Sequence, residues 1–168
     1  ASSFPTIADY WLISADIDAD GNPDIIGCDQ DNYVQVSFLN ENGGLDEQID
    51  LFARGPVEVI AEDFNADGRL DIAAACSDNL GTNSFSEPRV WVQTGERTFS
   101  SPILLARRNA VGIAATDVNQ DGVKDVVVLD REFAELDIFF GSPQANASCP
   151  ADLNGDGELN FYDVSLFI

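Results

Sequence analysis

The 168-residue sequence contains no histidine and no methionine, and its basic residues are few. Without imidazole, the usual general base of Ser- and Cys-dependent hydrolases is excluded, and zinc lacks its commonest nitrogen ligand. Eight Lys and Arg stand against 30 Asp and Glu, which gives a net charge of −22. Because so acidic a surface repels phosphate groups, we expect neither nucleic acid nor an anionic membrane as a partner.

Long apolar runs are absent as well. No stretch approaches the roughly 18 apolar residues of a membrane-spanning helix, so no transmembrane segment is expected. The first residues, ASSFPTIADYW, lack the pattern of a signal peptide but suit the mature end left after one is removed. We therefore expect a secreted, extracellular or cell-surface protein. The apolar content of 45% indicates that the chain folds.

What the sequence does contain is a repeated acidic loop, clearest in EDFNADGRLDIAAA (62–75). Positions one, three, five and nine of this loop are Asp63, Asn65, Asp67 and Asp71, and position six is Gly68. Alternate residues can point inward, glycine permits the positive φ of a sharp turn, and carboxylates are ligands for hard cations. The pattern therefore predicts a calcium-binding loop.

Two further copies of this loop occur in phase with it. Their residues are Asp16, Asp18, Asp20 and Asp24 in the first copy, and Asp117, Asn119, Asp121 and Asp125 in the third. Turn formation alone would not require acids at positions one, five and nine every time. Because the carboxylates within a loop repel one another without metal, folding is expected to depend on Ca²⁺.

The spacing of the loops predicts the fold. They start at residues 16, 63 and 117, and each lies between two short apolar segments with strand character. A repeat of about 50 residues with about four short strands indicates propeller blades. We therefore predict an all-β fold, a partial or incomplete β-propeller of about three four-stranded antiparallel blades. The predicted blades are residues 10–54, 55–108 and 109–143 of a domain spanning 1–143, followed by a linker at 144–150.

The segments DIDADGNPDII, DFNADGRLDIA and DVNQDGVKDVV, each preceded by an apolar strand, resemble FG-GAP repeats, also called VCBS repeats, of the integrin α-subunit type. The resemblance covers roughly residues 10–141. It implies that each calcium loop joins the first and second strands of a blade. It also implies that position seven, which is Asn22, Arg69 or Val123, supplies a backbone carbonyl to the metal.

The chain ends in a fourth loop of a different type, within CPADLNGDGELNFYDVSLFI. An acid stands at its twelfth position, and a helix is predicted to start near Phe161. This segment resembles half of a type I dockerin, the F-hand version of the EF-hand loop, as in the tails of secreted planctomycete proteins. For residues 151–168 the resemblance implies a fourth calcium site. Its ligands would be Asp152, Asn154, Asp156, Asn160, Asp163 and the carbonyl of Glu158.

Three blades are fewer than the roughly four to eight of a closed propeller. In one explanation, residues 1–9 supply a closing strand to blade three. In the other, which we favour because a three-blade ring would be tightly curved, the chain is a fragment of a longer array. Cys28 and Cys76 follow equivalent strands and would form either an interblade disulfide or, the favoured interpretation, two buried core residues. Trp11 and Trp91 lie within strand patterns, which favours core packing over sugar binding.

The function predicted from these features is structural. Glu58 with Glu62, and Glu132 with Glu135, are carboxylate pairs available for glycosidase chemistry, but an acidic chain offers many such pairs by chance, and we predict no enzyme. We expect a structural, adhesive or assembly module whose blades calcium rigidifies, with a protein or glycan partner at the cell surface or with itself. The alternative is the non-catalytic part of a secreted carbohydrate-active or degradative protein, attached through its dockerin-like tail.

Overall fold

The computed structural model describes residues 11–28, 32–77, 86–105, 109–130 and 133–143. In these ranges the regular structure is β-strand and no helix is present, which confirms the all-β expectation for this part of the chain. The predicted closing strand (1–9), the linker (144–150) and the C-terminal loop and helix (151–168) lie outside the described residues. Among the residues described, none belongs to a helix long and apolar enough to cross a membrane.

Sheet one contains four antiparallel strands in chain order. They are β1 (Trp11–Ala15), β2 (Asp24–Cys28), β3 (Tyr33–Leu39) and β4 (Leu45–Phe52). The segment NYVQVSFLN alternates with period two, and Val34, Val36 and Phe38 of β3 are fully buried on one face. The first acidic loop connects β1 to β2, and its position-nine residue, Asp24, is the first residue of β2.

Sheet two consists of β5 (Pro56–Glu62), β6 (Asp71–Cys76), β7 (Arg89–Trp91) and β10 (Ile103–Leu104). Its strand order is β10–β7–β6–β5. A separate hairpin, β8 (Gln93–Gly95) with β9 (Thr98–Phe99), begins two residues after β7 and divides the alternating segment RVWVQT. The interruption has a local cause. The Val92 N–H donates to Ser100 Oγ at 3.1 Å and the Gln93 N–H donates to the Asp71 carboxylate at 2.8 Å, so the chain turns away from the sheet.

Sheet three consists of β11 (Ala110–Thr116), β12 (Asp125–Asp130) and β13 (Leu136–Phe139), all antiparallel. Within the described ranges it therefore has three strands, where the repeat pattern predicts about four per blade. In all three sheets the acidic loop joins the first strand to the second, as the family resemblance implied.

Two hydrophobic cores lie on the two faces of β6. Ile72, Ala74 and Cys76 belong to the core shared with sheet one, together with Trp91. Ala73 and Ala75 belong to the core shared with sheet three. Because both faces are covered, β6 is a continuous apolar run rather than an alternating one. The sheets thus pack in chain order around sheet two, and all three acidic loops follow the first strand of their own sheet.

Cys28 and Cys76 are buried thiols in the core between sheets one and two. Their interpretation as core residues is confirmed. Burial raises the pKa of the Cys76 thiol to about 12, so this sulfur stays protonated at neutral pH. The two tryptophans differ, since Trp91 is 2% exposed and Trp11 is 42% exposed. Core packing is therefore confirmed for Trp91 and wrong for Trp11.

Candidate metal centre

The three acidic loops, named loop one (16–24), loop two (63–71) and loop three (117–125), share one backbone conformation. Position six is glycine in each, with φ of 91°, 87° and 92° at Gly21, Gly68 and Gly122. Position four is also left-handed, although it is not glycine. The residues there are Ala19 (φ 58°), Ala66 (φ 56°) and Gln120 (φ 62°). Since such φ values are disfavoured for residues with a Cβ, other contacts within each loop must hold this conformation.

The carboxylate at position one supplies one of these contacts. In every loop it accepts a hydrogen bond from the N–H of the position-six glycine. The donor–acceptor distances are 3.0 Å for Gly21 to Asp16, 2.9 Å for Gly68 to Asp63 and 2.9 Å for Gly122 to Asp117. Position five acts in the same way on position seven. Its carboxylate accepts the N–H of Asn22, Arg69 or Val123 at 2.7, 2.9 and 2.8 Å.

The position-nine aspartate connects each loop to the rest of its sheet. Asp24, Asp71 and Asp125 are fully buried. Their Oδ2 atoms accept the N–H of position two, which is Ile17, Phe64 or Val118, at 2.9, 3.1 and 2.7 Å. Their Oδ1 atoms accept the N–H of Leu39, Gln93 or Gly141, at 2.9, 2.8 and 3.0 Å. Each of those donors lies at the end of, or just after, the third strand, so one carboxylate fixes both the loop and a more distant strand.

Burial, hydrogen bonds and, to a smaller extent, neighbouring acids shift the pKa values of some of these carboxylates. Burial raises the pKa of Asp71 to about 6, against the opposing effect of its hydrogen bonds from Gln93 and Phe64. Repulsion from Asp67 and Asp63 raises that pKa further. Burial also raises the pKa of Asp24, whereas hydrogen bonds from Asn22 lower the pKa of the exposed Asp20. A cation in these loops would relieve the carboxylate repulsion.

The side chains of loop one converge. One carboxylate oxygen from each of Asp16, Asp18 and Asp24 lies within 4.8 Å of the other two. In loops two and three the residue matching Asp18 is Asn65 or Asn119, so those loops combine carboxylates with one amide. Carboxylate and amide oxygens are the donors that Ca²⁺ takes in proteins, and the donor set therefore fits this ion. The position-seven residues are placed by their N–H bonds to position five.

Two arginines lie beside these acids, and sequence reasoning gave neither this role. The Arg97 guanidinium bonds Asp18 Oδ2 at 2.7 Å, and the side chain of Asp18 is fully buried. In loop two, Arg69 pairs with Asp67 and also donates to the backbone carbonyl of Gln93 at 3.1 Å. The two guanidinium groups thus already neutralise part of the negative charge of loops one and two.

Glu58, one of the acids considered for catalysis, has a structural contact. Its Oε2 accepts the N–H of Ile113 at 3.0 Å, which joins β5 to the irregular part of β11. Its suggested partner Glu62 is the last residue of β5 and pairs with Asp71 in the strand register. Glu132 lies outside the described residues.

The spacing of the loops agrees with a family comparison. The sequence model of the family described as FG-GAP-like repeat matches residues 16–74 and 63–128. Each match starts at position one of a loop. The chain belongs to the FG-GAP-like repeat family. Each of the two matches extends from one FG-GAP-like loop into the second strand of the next sheet, so the repeats are in phase with the sheets.

Similarity to individual known proteins is more limited. No curated protein matches this FG-GAP-like chain. Among solved structures, it is similar to the V. cholerae biofilm matrix protein Bap1, with 21% sequence identity and a TM-score of 0.45. The alignment covers 79% of this chain and 19% of that chain.

Proposed function

We propose that loops one, two and three each bind one Ca²⁺ and that the protein is an extracellular structural or adhesive module whose sheets this ion rigidifies. The observation that supports the proposal best is the position-nine clamp. Asp24, Asp71 and Asp125 each join a loop to the far end of the third strand. An ion held by the same carboxylate would therefore stabilise three strands of a sheet at once.

The ligands we propose are the side chains at positions one, three, five and nine and the carbonyl at position seven. In loop one the convergence of Asp16, Asp18 and Asp24 supports this assignment. Hard oxygen donors and excess negative charge favour Ca²⁺ over softer metals. The dockerin-like loop at 152–163 is proposed as a fourth site on the pattern of its residues alone.

The proposed setting is the cell surface or the extracellular matrix, with a protein or glycan partner or a second copy of the chain. Membership of the FG-GAP-like repeat family, whose loops this chain carries three times in phase, supports a repetitive structural role. No imidazole base is present anywhere in the sequence, and Glu58 is engaged between two sheets, which favours a structural role over catalysis.

Calcium titration tests the metal assignment. Calcium-stripped protein should bind Ca²⁺ by isothermal titration calorimetry, and its melting temperature should rise by many degrees on addition of the ion. Asp63→Asn, which weakens loop two at position one, should reduce the number of sites bound. The matched control is Asp50→Asn, because Asp50 is exposed in β4 and bonds Gln35 away from every loop. Equal melting temperatures with Ca²⁺ and with chelator would contradict the proposal.

The adhesive role has its own test. The calcium-loaded protein is applied to a glycan array and to whole cells, with the chelated protein as the comparison. Binding that requires Ca²⁺ is expected to at least one of these surfaces. Binding to neither, together with a monomer in solution, would contradict the adhesive part of the proposal and leave calcium binding to stand on its own titration.

A further inference from the structure

One buried side chain connects loop one to loop two. Gln93, which is 1% exposed, donates from its Nε2 to the carbonyl of Ile17, the position-two residue of loop one, at 3.1 Å. Its own N–H donates to Asp71, the position-nine residue of loop two, at 2.8 Å. Arg69 of loop two also donates to its carbonyl. A single residue therefore holds parts of two neighbouring loops.

Loops two and three are connected at the equivalent place by different atoms. The N–H of Gly141 donates to Asp125, the position-nine residue of loop three, at 3.0 Å. The N–H of the next residue, Ser142, donates to the carbonyl of Phe64, the position-two residue of loop two, at 3.2 Å. The connection is thus made once by a side chain and once by the backbone, and both versions join position nine of one loop to position two of the loop before it.

The two connections form a continuous series because each of two position-two residues, Ile17 and Phe64, is bonded through both its N–H and its carbonyl. Its N–H goes to the position-nine aspartate of its own loop, as Ile17 does to Asp24 and Phe64 does to Asp71. Its carbonyl accepts a hydrogen bond from the next repeat. The series runs through Asp24, Ile17, Gln93, Asp71, Phe64, Ser142, Gly141 and Asp125.

We propose that the three loops bind Ca²⁺ with positive coupling between neighbours, carried by Gln93 from loop two to loop one and by Gly141–Ser142 from loop three to loop two. This inference rests on the proposed calcium binding. An ion that fixes Asp71 also fixes Gln93, and the Gln93 side chain then holds Ile17 in the position that Asp24 requires. The second ion has less disorder left to remove, so it binds more tightly, and the effect is reciprocal.

The position-six glycines provide a separate signal for each loop. Gly21, Gly68 and Gly122 each donate an N–H to the position-one aspartate of their own loop. In full-length protein labelled with ¹⁵N-glycine, the amide resonance of each should shift as Ca²⁺ fills that loop. The calcium concentration at the midpoint of the Gly21 shift therefore reports the occupancy of loop one.

The decisive experiment is a cycle of variants read at Gly21. Asp63→Asn with Asp67→Asn empties loop two and should raise the Gly21 midpoint about fivefold or more, the lower end of typical allosteric coupling. Gln93→Ala keeps the N–H to Asp71 but removes the side-chain bond to Ile17. In that background the loop-two substitutions should change the Gly21 midpoint less than about twofold. Gln35→Ala is the matched control, because it removes a glutamine bonded to Asp50 away from the loops, and the full effect should persist there.

A second variant tests the coupling if Gln93→Ala does not fold. Ser142→Pro removes the N–H that donates to Phe64 and should uncouple Gly68 from substitutions in loop three. An unchanged Gly21 midpoint when loop two is emptied in the otherwise unaltered protein would overturn the coupling while leaving calcium binding intact. If the amide resonances of the position-six glycines of all three loops do not shift on addition of Ca²⁺, both the coupling and the proposed function are overturned.

Discussion

The Arg97 guanidinium lies 2.7 Å from the carboxylate of Asp18, although Arg97 is in the turn between β8 and β9 and Asp18 is in loop one. The same guanidinium lies 4.8 Å from the ring centroid of Phe38 and bonds Asp46 at 2.7 Å. A residue of the second repeat thus holds a candidate metal ligand of the first. Arg97 therefore makes a salt bridge with Asp18 and a cation–π interaction with Phe38, and both join the second repeat to the first.

Replacement of Arg97 tests the energetic weight of this contact. Arg97→Ala leaves the buried Asp18 carboxylate without its hydrogen-bond donor and should lower the unfolding free energy of calcium-free protein by about 1–3 kcal/mol. Added Ca²⁺ should shrink the loss, because the ion supplies the missing positive charge. Urea unfolding with and without Ca²⁺ measures both. Lys124→Ala removes the same charge from an exposed position and should cost much less, so equal losses would contradict the assignment.

Positions five and nine should differ in what they do without metal. Asp71→Ala removes the acceptor of two buried N–H groups, those of Phe64 and Gln93, and should cost about 2–5 kcal/mol even in chelator. Asp67→Ala, in the half-buried position five, should cost less in chelator and act mainly through lost calcium binding. Chemical unfolding in both conditions separates the two. If Asp67→Ala proved the more damaging in chelator, the clamp would not lie at position nine.

Calcium-free protein should gain stability as the solution is acidified from neutral pH. The folded-state pKa of Asp71, about 6, lies above the ordinary value of 3.8, so the folded protein binds this proton more tightly than the unfolded chain. The penalty for the charged carboxylate is fully present above about pH 6 and fades as the pH falls from about 6 toward about 4. Unfolding free energies of the stripped protein at about pH 5 and about pH 7.5 should show this rise. Asp71→Asn should weaken the dependence, and an identical pH profile in that variant would refute the attribution.

The core cysteines should be inert in the native state. Burial raises the pKa of Cys76 to about 12, and only the thiolate reacts with iodoacetamide. The sequence has a third cysteine, Cys149, which is replaced by serine for this experiment. In the Cys149→Ser background, native protein at about pH 8 should show no label at Cys28 or Cys76 by mass spectrometry, and urea-unfolded protein should label at both. Rapid native labelling would show that the core between sheets one and two opens readily.

The sequence predicted the loops and their neighbouring strands because both depend on local spacing. Asp63, Gly68 and Asp71 stand at fixed positions in one short segment, and the short apolar run that follows is typical of a buried strand. The contacts between repeats could not be predicted in this way. Gln93 and Ile17 are 76 residues apart in the chain, and Arg97 and Asp18 are 79 apart.

Other errors have the same physical origin. Val92 continues the alternating pattern of β7, yet its N–H bonds a serine hydroxyl and the strand ends there. Trp11 and Trp91 sit in similar local patterns, but only Trp91 is covered by a neighbouring sheet. The local sequence pattern determines which face of a strand is apolar. Whether that face is buried depends on whether another sheet packs against it.

The alternation of β6 between two cores gives independent control over two spacings. A larger side chain at Ala74 would push against sheet one, and one at Ala73 would push against sheet three. The distance between one pair of sheets could thus be widened while the other pair stays as it is. The curvature of the stack, and the direction in which an extended array of these repeats would bend, are adjustable through adjacent residues of a single strand.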